Sequence, residues 1–538
     1  MRFPPPRFDG HPSGVSDRID SSTWESTREF GWGRDFWLAA LLLVGITTYQ
    51  WRHRWQDFAF TSDAGAYLAG ARSLAAGQGY LFSAHAGQPP ISLYPPLQSG
   101  LLAPAFRWGP PFPENVPHLH AIMIGLGLLT LGVVYVFLRV EGVPRMPTAW
   151  FVLLWGISAQ WITWLGYLVS DVGFAMIPAA LALIWRWDQS GPEWRRWLWM
   201  GLGMAVAYWL RTAIQAGTLA LGIIVIGRCL IGGDWRRAAC YLVPVGVSYV
   251  GWQRIRAGGI GYQEMLTAWF EYEGGLRGYV RTLAAHIWIL IRGYEFWPFL
   301  AAPLRRQQLL WQQAGQWWLA IPLLAAMVIG HVWWLGRTAL GILMDVSERD
   351  IVVLFALAIY CLQLFFVPFH GYDYQRYLYP FAPFLFNWFL RSGTAKPDHA
   401  ARSLRRTCWV LAGFCLLNLL GRRIVDDINR TRFSLDEIRE MAVWFRDQTP
   451  TGTRIAMDWN LPVEHWYAWN GRPVVVDERV RSASVSPVRR SQQGVPEPEY
   501  FLWSPYANAA DPAPPPGELV RSSPSRGLQL FRYTGSGR

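Results

Sequence analysis

The chain has 538 residues, of which 52% are hydrophobic and 16% charged, with a mean hydropathy of +0.13; it is too long and too apolar for one ordinary soluble core and points to the membrane class. Its net charge of +12 is almost wholly arginine, since Lys396 is the only lysine, and the arginines are scattered between apolar runs. That spread argues for membrane topology and anionic lipid as partners, and against nucleic acid. The five cysteines (Cys229, Cys240, Cys361, Cys408 and Cys415) lie in or beside apolar runs without metal-ligand spacing, which removes disulfide and zinc readings.

Residues 1–33 are rich in Pro, Gly, Ser and charge and read as a disordered cytoplasmic tail, with no cleavable signal peptide. Apolar runs follow near 36–51, 118–138, 149–165, 168–187, 197–211, 213–231, 237–253, 317–336, 350–369, 377–391 and 408–421, which gives about eleven membrane helices by window length. Many of the 33 tryptophans flank these runs, among them Trp51, Trp55, Trp161, Trp164, Trp185, Trp187, Trp317 and Trp318, as expected of rings seated at headgroup depth. Helix packing is the alternative use for about half of them.

The connections that carry Arg139 and Arg145, Arg186, Arg195 and Arg196, Arg228, Arg236 and Arg237, Arg337 and Arg349, and Arg391 to Arg406 fall on one side. By the positive-inside rule that side is cytoplasmic. The N-terminus is then cytoplasmic, while the first loop, 52–117, and the loop 254–316 lie outside.

Past residue 421 the character changes. Ser434 and Glu437 form a capping box ahead of Leu435, Ile438, Met441, Ala442 and Phe445 at helical spacing. RIAMDW, a helical LPVEHWYAWNG, PVVVDE, a Pro-rich link at 508–517 and a strand-like LQLFRYT follow. The expected architecture is an all-α polytopic membrane domain, residues 34–421, with amphipathic helices in its first outer loop. A small C-terminal α/β domain, residues 422–538, stands on the extracytoplasmic face.

The first outer loop holds the acidic residues Asp57 and Asp63 directly after a membrane run, where a carboxylate needs a partner or a task. Ser62 can cap a helix on which Tyr67, Leu68, Ala71 and Leu74 recur on one face and which Gly77 and Gly79 end. Asp63 reads equally as a cap of that helix or as a reactive carboxylate at its start; Asp57 reads first as a solvated loop charge. Tyr94 heads the extended turn YPP and is also a plausible interfacial anchor.

Asp171 in YLVSDVGFAM lies at a second outer turn, where a capping role for Ser170 or Asp171 is the alternative. Arg211 begins a third turn, LRTAIQAG, and Arg376 belongs to a fourth, YDYQRYLYP, with Tyr374 beside it. An arginine at a helix end commonly snorkels to headgroups. Two acids and two arginines converging from separate helices would instead form a pocket for a phosphorylated lipid.

Taken in order, these turns resemble those of the GT-C glycosyltransferases of the dolichyl-phosphate-mannose mannosyltransferase type, with the bacterial aminoarabinose transferases and the RgtA/B/C/D-like group. The resemblance lies in Asp63, Tyr67, Ala71-Arg72-Ser73-Leu74, Gly77, Gly79, Tyr80 and Tyr94-Pro95-Pro96; in Ser170, Asp171 and Phe174; in Arg211; and in Arg376, Tyr377, Leu378 and Pro380. It extends over most of residues 35–480. It implies a bacterial inner-membrane enzyme that moves a sugar from a polyprenyl-phosphate donor to an extracytoplasmic lipid, glycan or protein acceptor.

On this reading Asp63 and Asp171 are the catalytic acids and Arg211 and Arg376 the donor-phosphate ligands, with Asp57, Tyr67, Tyr94 and Tyr374 lining the pocket. Many relatives carry a second acid directly after the first, but Ala64 follows Asp63 here, so a role for that dyad is not carried over. A divalent metal stays open as cofactor, although the first loop has no D-x-D and no histidine cluster beyond the interfacial His85, His118 and His120. Single displacement would invert the anomeric centre. The rival from another class is a transporter or flippase of lipid-linked saccharide, which would place its charges near the bilayer midplane in two related halves; no such halves are visible here.

Overall fold

The computed structural model describes residues 62–187, 192–256, 317–344, 348–366, 379–391, 434–457, 461–476, 498–504 and 517–532, with isolated positions at 37–48, 275–284, 315 and 409. The expected runs at 36–51 and 408–421 therefore lie outside the described residues, apart from those isolated positions.

The described chain is mostly helical, with one small sheet. In order it forms α1 (Ser62–Ala75), α2 (Leu97–Arg107), α3 (Val116–Val140), α4 (Arg145–Gly156), α5 (Ala159–Gly166), α6 (Asp171–Phe174), α7 (Ile177–Trp187) and α8 (Glu193–Leu210). A 3₁₀ turn (Thr212–Ile214) leads into α9 (Gln215–Gly232), followed by α10 (Trp235–Ile255), α11 (Trp317–Met344) and α12 (Glu348–Phe366). After a 3₁₀ turn at Tyr379–Phe381 comes α13 (Ala382–Arg391).

Among the fully described residues two helices are long and apolar enough to cross a membrane, Val116–Val140 and Thr212–Gly232. Two of the eleven expected runs are interrupted within the described residues. The apolar run 149–165 is cut at Ile157 and Ser158 into helices of 12 and 8 residues. The run 168–187 starts with Leu168 at φ 54° and splits into helices of 4 and 11 residues. At 1.5 Å per residue an 11-residue helix covers only about 16 Å, half of a hydrocarbon core.

Several tryptophans expected at headgroup depth are buried instead. Trp161 and Trp164 pack against Tyr379, at ring distances of 6.1 and 4.7 Å, together with Trp155 at 4.7 Å. Trp185 meets Trp197 edge to face at 5.0 Å. Trp318, by contrast, is 69% exposed.

Helix α1 departs from the expected surface-lying amphipath. Ala64, Tyr67, Leu68 and Ala71 join a core with α3 to α7 and α13, whereas Ala66 and Ala69 join a second core with α7 to α10 and α12. The helix is thus enclosed on nearly every side. Gly77 (φ 70°) and Gly79 (φ 93°) end it in the left-handed region, as their positions in the sequence suggest.

The C-terminal domain forms α14 (Leu435–Gln448), β1 (Ile455–Met457), α15 (Val463–Asn470), β2 (Val474–Val476), β3 (Tyr500–Trp503), β4 (Glu518–Ser522) and β5 (Gln529–Arg532). The Ser434–Glu437 capping box is present in both directions, and Ile438, Met441, Ala442 and Phe445 face the core. The sheet runs β2-β1-β3-β5-β4, with β1 parallel to both neighbours and the β3–β5 and β5–β4 pairs antiparallel. Strands β3 and β4 were not foreseen.

The first loop joins this sheet. Residues 80–91 fold back on themselves through a Leu81–Pro90 bridge. At the tip, Ala86 N–H donates to Val474 O and Val474 N–H to Ala84 O, both at 2.9 Å, which covers the β2 edge. Around this seam Phe112 meets His465 edge to face at 4.6 Å and Phe82 meets His85 at 4.9 Å.

Burial lowers the His465 imidazole to about 3, and burial with the nearby Arg72 charge lowers that of His85 to about 3. Unfolding returns both to near ~6.5, so below that pH the unfolded chain binds more protons. Native stability is then full above pH ~6.5 and drains by up to ~1.4 kcal/mol per histidine per pH unit on acidification. Glu464, raised by burial against the opposing charge of Arg72, carries the opposite sign and offsets part of the loss. The thermal midpoint of the purified protein is expected to be level above pH 7 and to fall between pH 6.5 and 4.5, more gently in His465→Gln. A midpoint that is flat across that window contradicts the assignment.

Candidate active site

Four stretches far apart in sequence meet at one end of the helices. α1 brings Asp63 and Tyr67, which lie four residues apart on one face; the YPP turn brings Tyr94; the α5–α6 turn brings Ser170, Asp171 and Phe174; and the α8–α9 junction brings Arg211.

Tyr94 donates its hydroxyl to Asp63 Oδ1 at 2.8 Å, and its ring packs edge to face on Tyr67 at 5.5 Å. The Tyr67 hydroxyl lies 2.8 Å from Ser170 Oγ. Arg211 Nη1 donates to Ser170 Oγ at 3.4 Å and to Asp171 Oδ1 at 2.6 Å. Its guanidinium also stands 5.7 Å over the Phe174 ring. One continuous path therefore runs from Asp63 through Tyr94, Tyr67 and Ser170 to the Arg211–Asp171 pair.

Local geometry explains why Arg211 points here. The residue ends α8 in extended conformation (φ −157°, ψ 126°) before the 3₁₀ turn, so its side chain leaves the helical path. The Ser170 side chain does not cap α6, and Asp171 is bound to Arg211. Ser170 stands at the start of α6 without a capping bond and spends its hydroxyl on Tyr67 and Arg211. The side chain of Asp171 has no exposed surface and that of Arg211 has 11%. Burial pushes the Tyr67 phenol far above its ordinary value, against the nearby Arg211 charge, so it remains a neutral hydroxyl.

Of the residues expected in the site, the structure thus brings together Asp63, Tyr67, Tyr94, Asp171 and Arg211. Asp57, Tyr374 and Arg376 lie outside the described residues. The described chain resumes at Tyr379, whose hydroxyl lies 3.0 Å from Ser158 Oγ. Ser170 entered the sequence reading as a cap and a motif position and Phe174 as a motif position alone, because a hydroxyl beside an acid at a helix start reads first as a cap. His85 belongs to the seam with the C-terminal domain, away from this constellation. Among the described residues no three His, Cys, Asp or Glu side chains gather so as to hold a metal ion.

No protein-family model matches the sequence, and no curated protein matches it either. Among solved structures, the chain is similar to ArnT from Cupriavidus metallidurans bound to undecaprenyl phosphate, at 12% identity and a TM-score of 0.44, covering 92% of this chain and 98% of that one. It is similar also to the apo state of that protein, at 12% identity and a TM-score of 0.42, covering 91% and 97%.

Asp171→Asn leaves the Arg211 charge buried beside a neutral amide. Loss of one partner of a buried pair costs about 3–5 kcal/mol, whereas replacing both by apolar groups of similar size is close to neutral. The expected order of thermal midpoints in detergent is therefore wild type, then Asp171→Leu with Arg211→Met, then Asp171→Asn well below. Equal midpoints for wild type and Asp171→Asn would show that the pair is not buried as described.

Proposed function

We propose that the chain is an integral-membrane glycosyltransferase that moves a sugar from a polyprenyl-phosphate donor to an acceptor hydroxyl at the extracytoplasmic face. The observation that carries this reading is the convergence of a half-buried carboxylate, Asp63, and a carboxylate-held arginine, Arg211, bridged by Tyr94, Tyr67 and Ser170.

Asp63 acts as general base. The acceptor oxygen attacks the anomeric carbon, its proton passes to the Asp63 carboxylate, and the bond from that carbon to the phosphate oxygen breaks with its electron pair leaving on polyprenyl phosphate. A hydroxyl is a poor nucleophile near neutrality, and such proton transfer is typically worth ~10²–10⁴-fold. Tyr94 holds the carboxylate in place through its 2.8 Å hydrogen bond. Arg211, with its planar fork of donors, receives the leaving phosphate, and Arg376 shares that task.

Asp171 takes a different part from the proton-abstracting one that its sequence position suggests. It is enclosed and bound to Arg211 Nη1, so its role is to orient the guanidinium and offset its charge in the apolar bundle. Tyr67 lines the pocket, and the C-terminal α/β domain is extracytoplasmic. The donor is a single-chain lipid phosphate in the plane of the bilayer, and attack from the opposite face inverts the sugar.

Asp63→Asn is expected to cut transfer from a polyprenyl-phosphate sugar by ~10²–10⁴-fold while the protein still inserts into membranes and elutes as wild type. Product analysis should show the inverted anomer. Unchanged transfer in Asp63→Asn, or passage of lipid-linked saccharide across vesicles without any transfer, would replace this reading with that of a transporter or flippase.

A further inference from the structure

We propose that Glu464, in the C-terminal domain, is a positioning residue for the transfer reaction: through Arg72 it fixes helix α1, and with it the depth and rotation of Asp63 and Tyr67. The proposal rests on the transferase reading above and deepens it.

Arg72 is held on three sides. Its guanidinium forms a salt bridge with Glu464, its Nε donates to Ser83 Oγ at 3.1 Å, and its head group stacks 4.5 Å from the Tyr467 ring. The side chains of the pair are 19% and 6% exposed, so they lie in a weakly solvated seam. Glu464 and Tyr467 both belong to α15, and the 84–86 bridge to Val474 closes the same seam one element further on.

Nine residues separate Asp63 from Arg72, which is about 13 Å along a helix and half a turn around it. Asp63 and Tyr67 therefore face the catalytic constellation while Arg72 faces the C-terminal domain. Between them α1 carries Tyr67 and Leu68 among the small residues Ala64, Gly65, Ala66, Ala69, Gly70 and Ala71. Such a helix packs close to its neighbours. A Cβ at Gly70 would lie 2.3 Å from the Tyr80 ring and 2.7 Å from Ser99 Oγ. Small residues allow that approach but interlock poorly, so the rotation of α1 depends on its few long side chains, and Arg72 is tied to a charge of the C-terminal domain. A side-chain end some 6 Å off the axis moves by about 1 Å for a 10° rotation, and a displacement of that size can cost ~10²-fold in a positioned reaction.

The test uses the full chain in detergent micelles. Glu464→Gln keeps the shape and removes the charge. Its expected result is at least tenfold faster hydrogen exchange of the α1 amides (residues 62–75) and a kcat ~10–100-fold lower, with KM for the polyprenyl-phosphate sugar within twofold of wild type. Glu440→Gln, on the exposed face of α14, should change neither. Arg72→Glu combined with Glu464→Arg should recover exchange protection and part of kcat, and Glu464→Asp should fall between wild type and Glu464→Gln.

Wild-type exchange and kcat in a folded Glu464→Gln would overturn the positioning role and leave the transferase standing. Faster α1 exchange in a protein that transfers no sugar even as wild type would keep the lock and remove the reaction. If Glu464→Gln does not insert, the reversed pair decides: protected α1 amides support the lock, and a folded but unprotected α1 refutes it.

Discussion

Charge inside an apolar helical bundle is tolerated only where it is paired, and the Arg211–Asp171 contact is the point on which the candidate site depends. The Asp171 side chain is fully enclosed and that of Arg211 only 11% exposed, so the carboxylate needs the guanidinium beside it. The pair fixes the end of α8 against the α5–α6 turn, and Ser170 extends that contact to Tyr67 and so to α1. The same rule appears in α12, where the buried Asp350 accepts the Trp388 indole N–H at 2.8 Å.

The arginine-rich ends of the helices gather at the opposite pole. Arg186 meets Glu141, Arg228 and Arg237 share Glu193, and Arg237 also binds Asp234, which joins the ends of α3 and α7 and those of α8, α9 and α10. α8 begins in this network at Glu193 and ends beside Arg211, and its 18 residues measure about 27 Å. The molecule therefore carries exposed, salt-bridged charge at one pole and a shielded polar cluster at the other. That separation is what the uneven spread of arginines among the short loops encodes.

Much of this was readable from residues, because some signals are local. The Ser434–Glu437 box and the spacing of Ile438, Met441, Ala442 and Phe445 state a capped helix with one buried face, and α14 has that form. Gly77 and Gly79 mark the end of α1 because few other residues accept their φ. Where the reading failed, the deciding contact was remote. The runs 149–165 and 168–187 look like continuous spans, since hydropathy does not register a turn made of apolar residues such as Ile157 and Leu168. The α1 face appeared one-sided because nothing in SDAGAYLAGARSLA tells that a second core closes over Ala66 and Ala69. Strand β4 escaped notice because its residues are nearly all exposed and follow a proline-rich stretch, so no alternation marks it.

The seam between the first loop and β2 also orders events in time. Arg72 and Glu464 are separated by 392 positions, so the segment bearing Asp63 leaves the ribosome long before the strand and helix that complete its surroundings. A nascent chain would hold Asp63 in unfinished company until α15 and β2 had been made and could close the seam. Truncated products arising from early termination would then lack the Glu464 contact that holds Arg72, and with it the C-terminal end of α1.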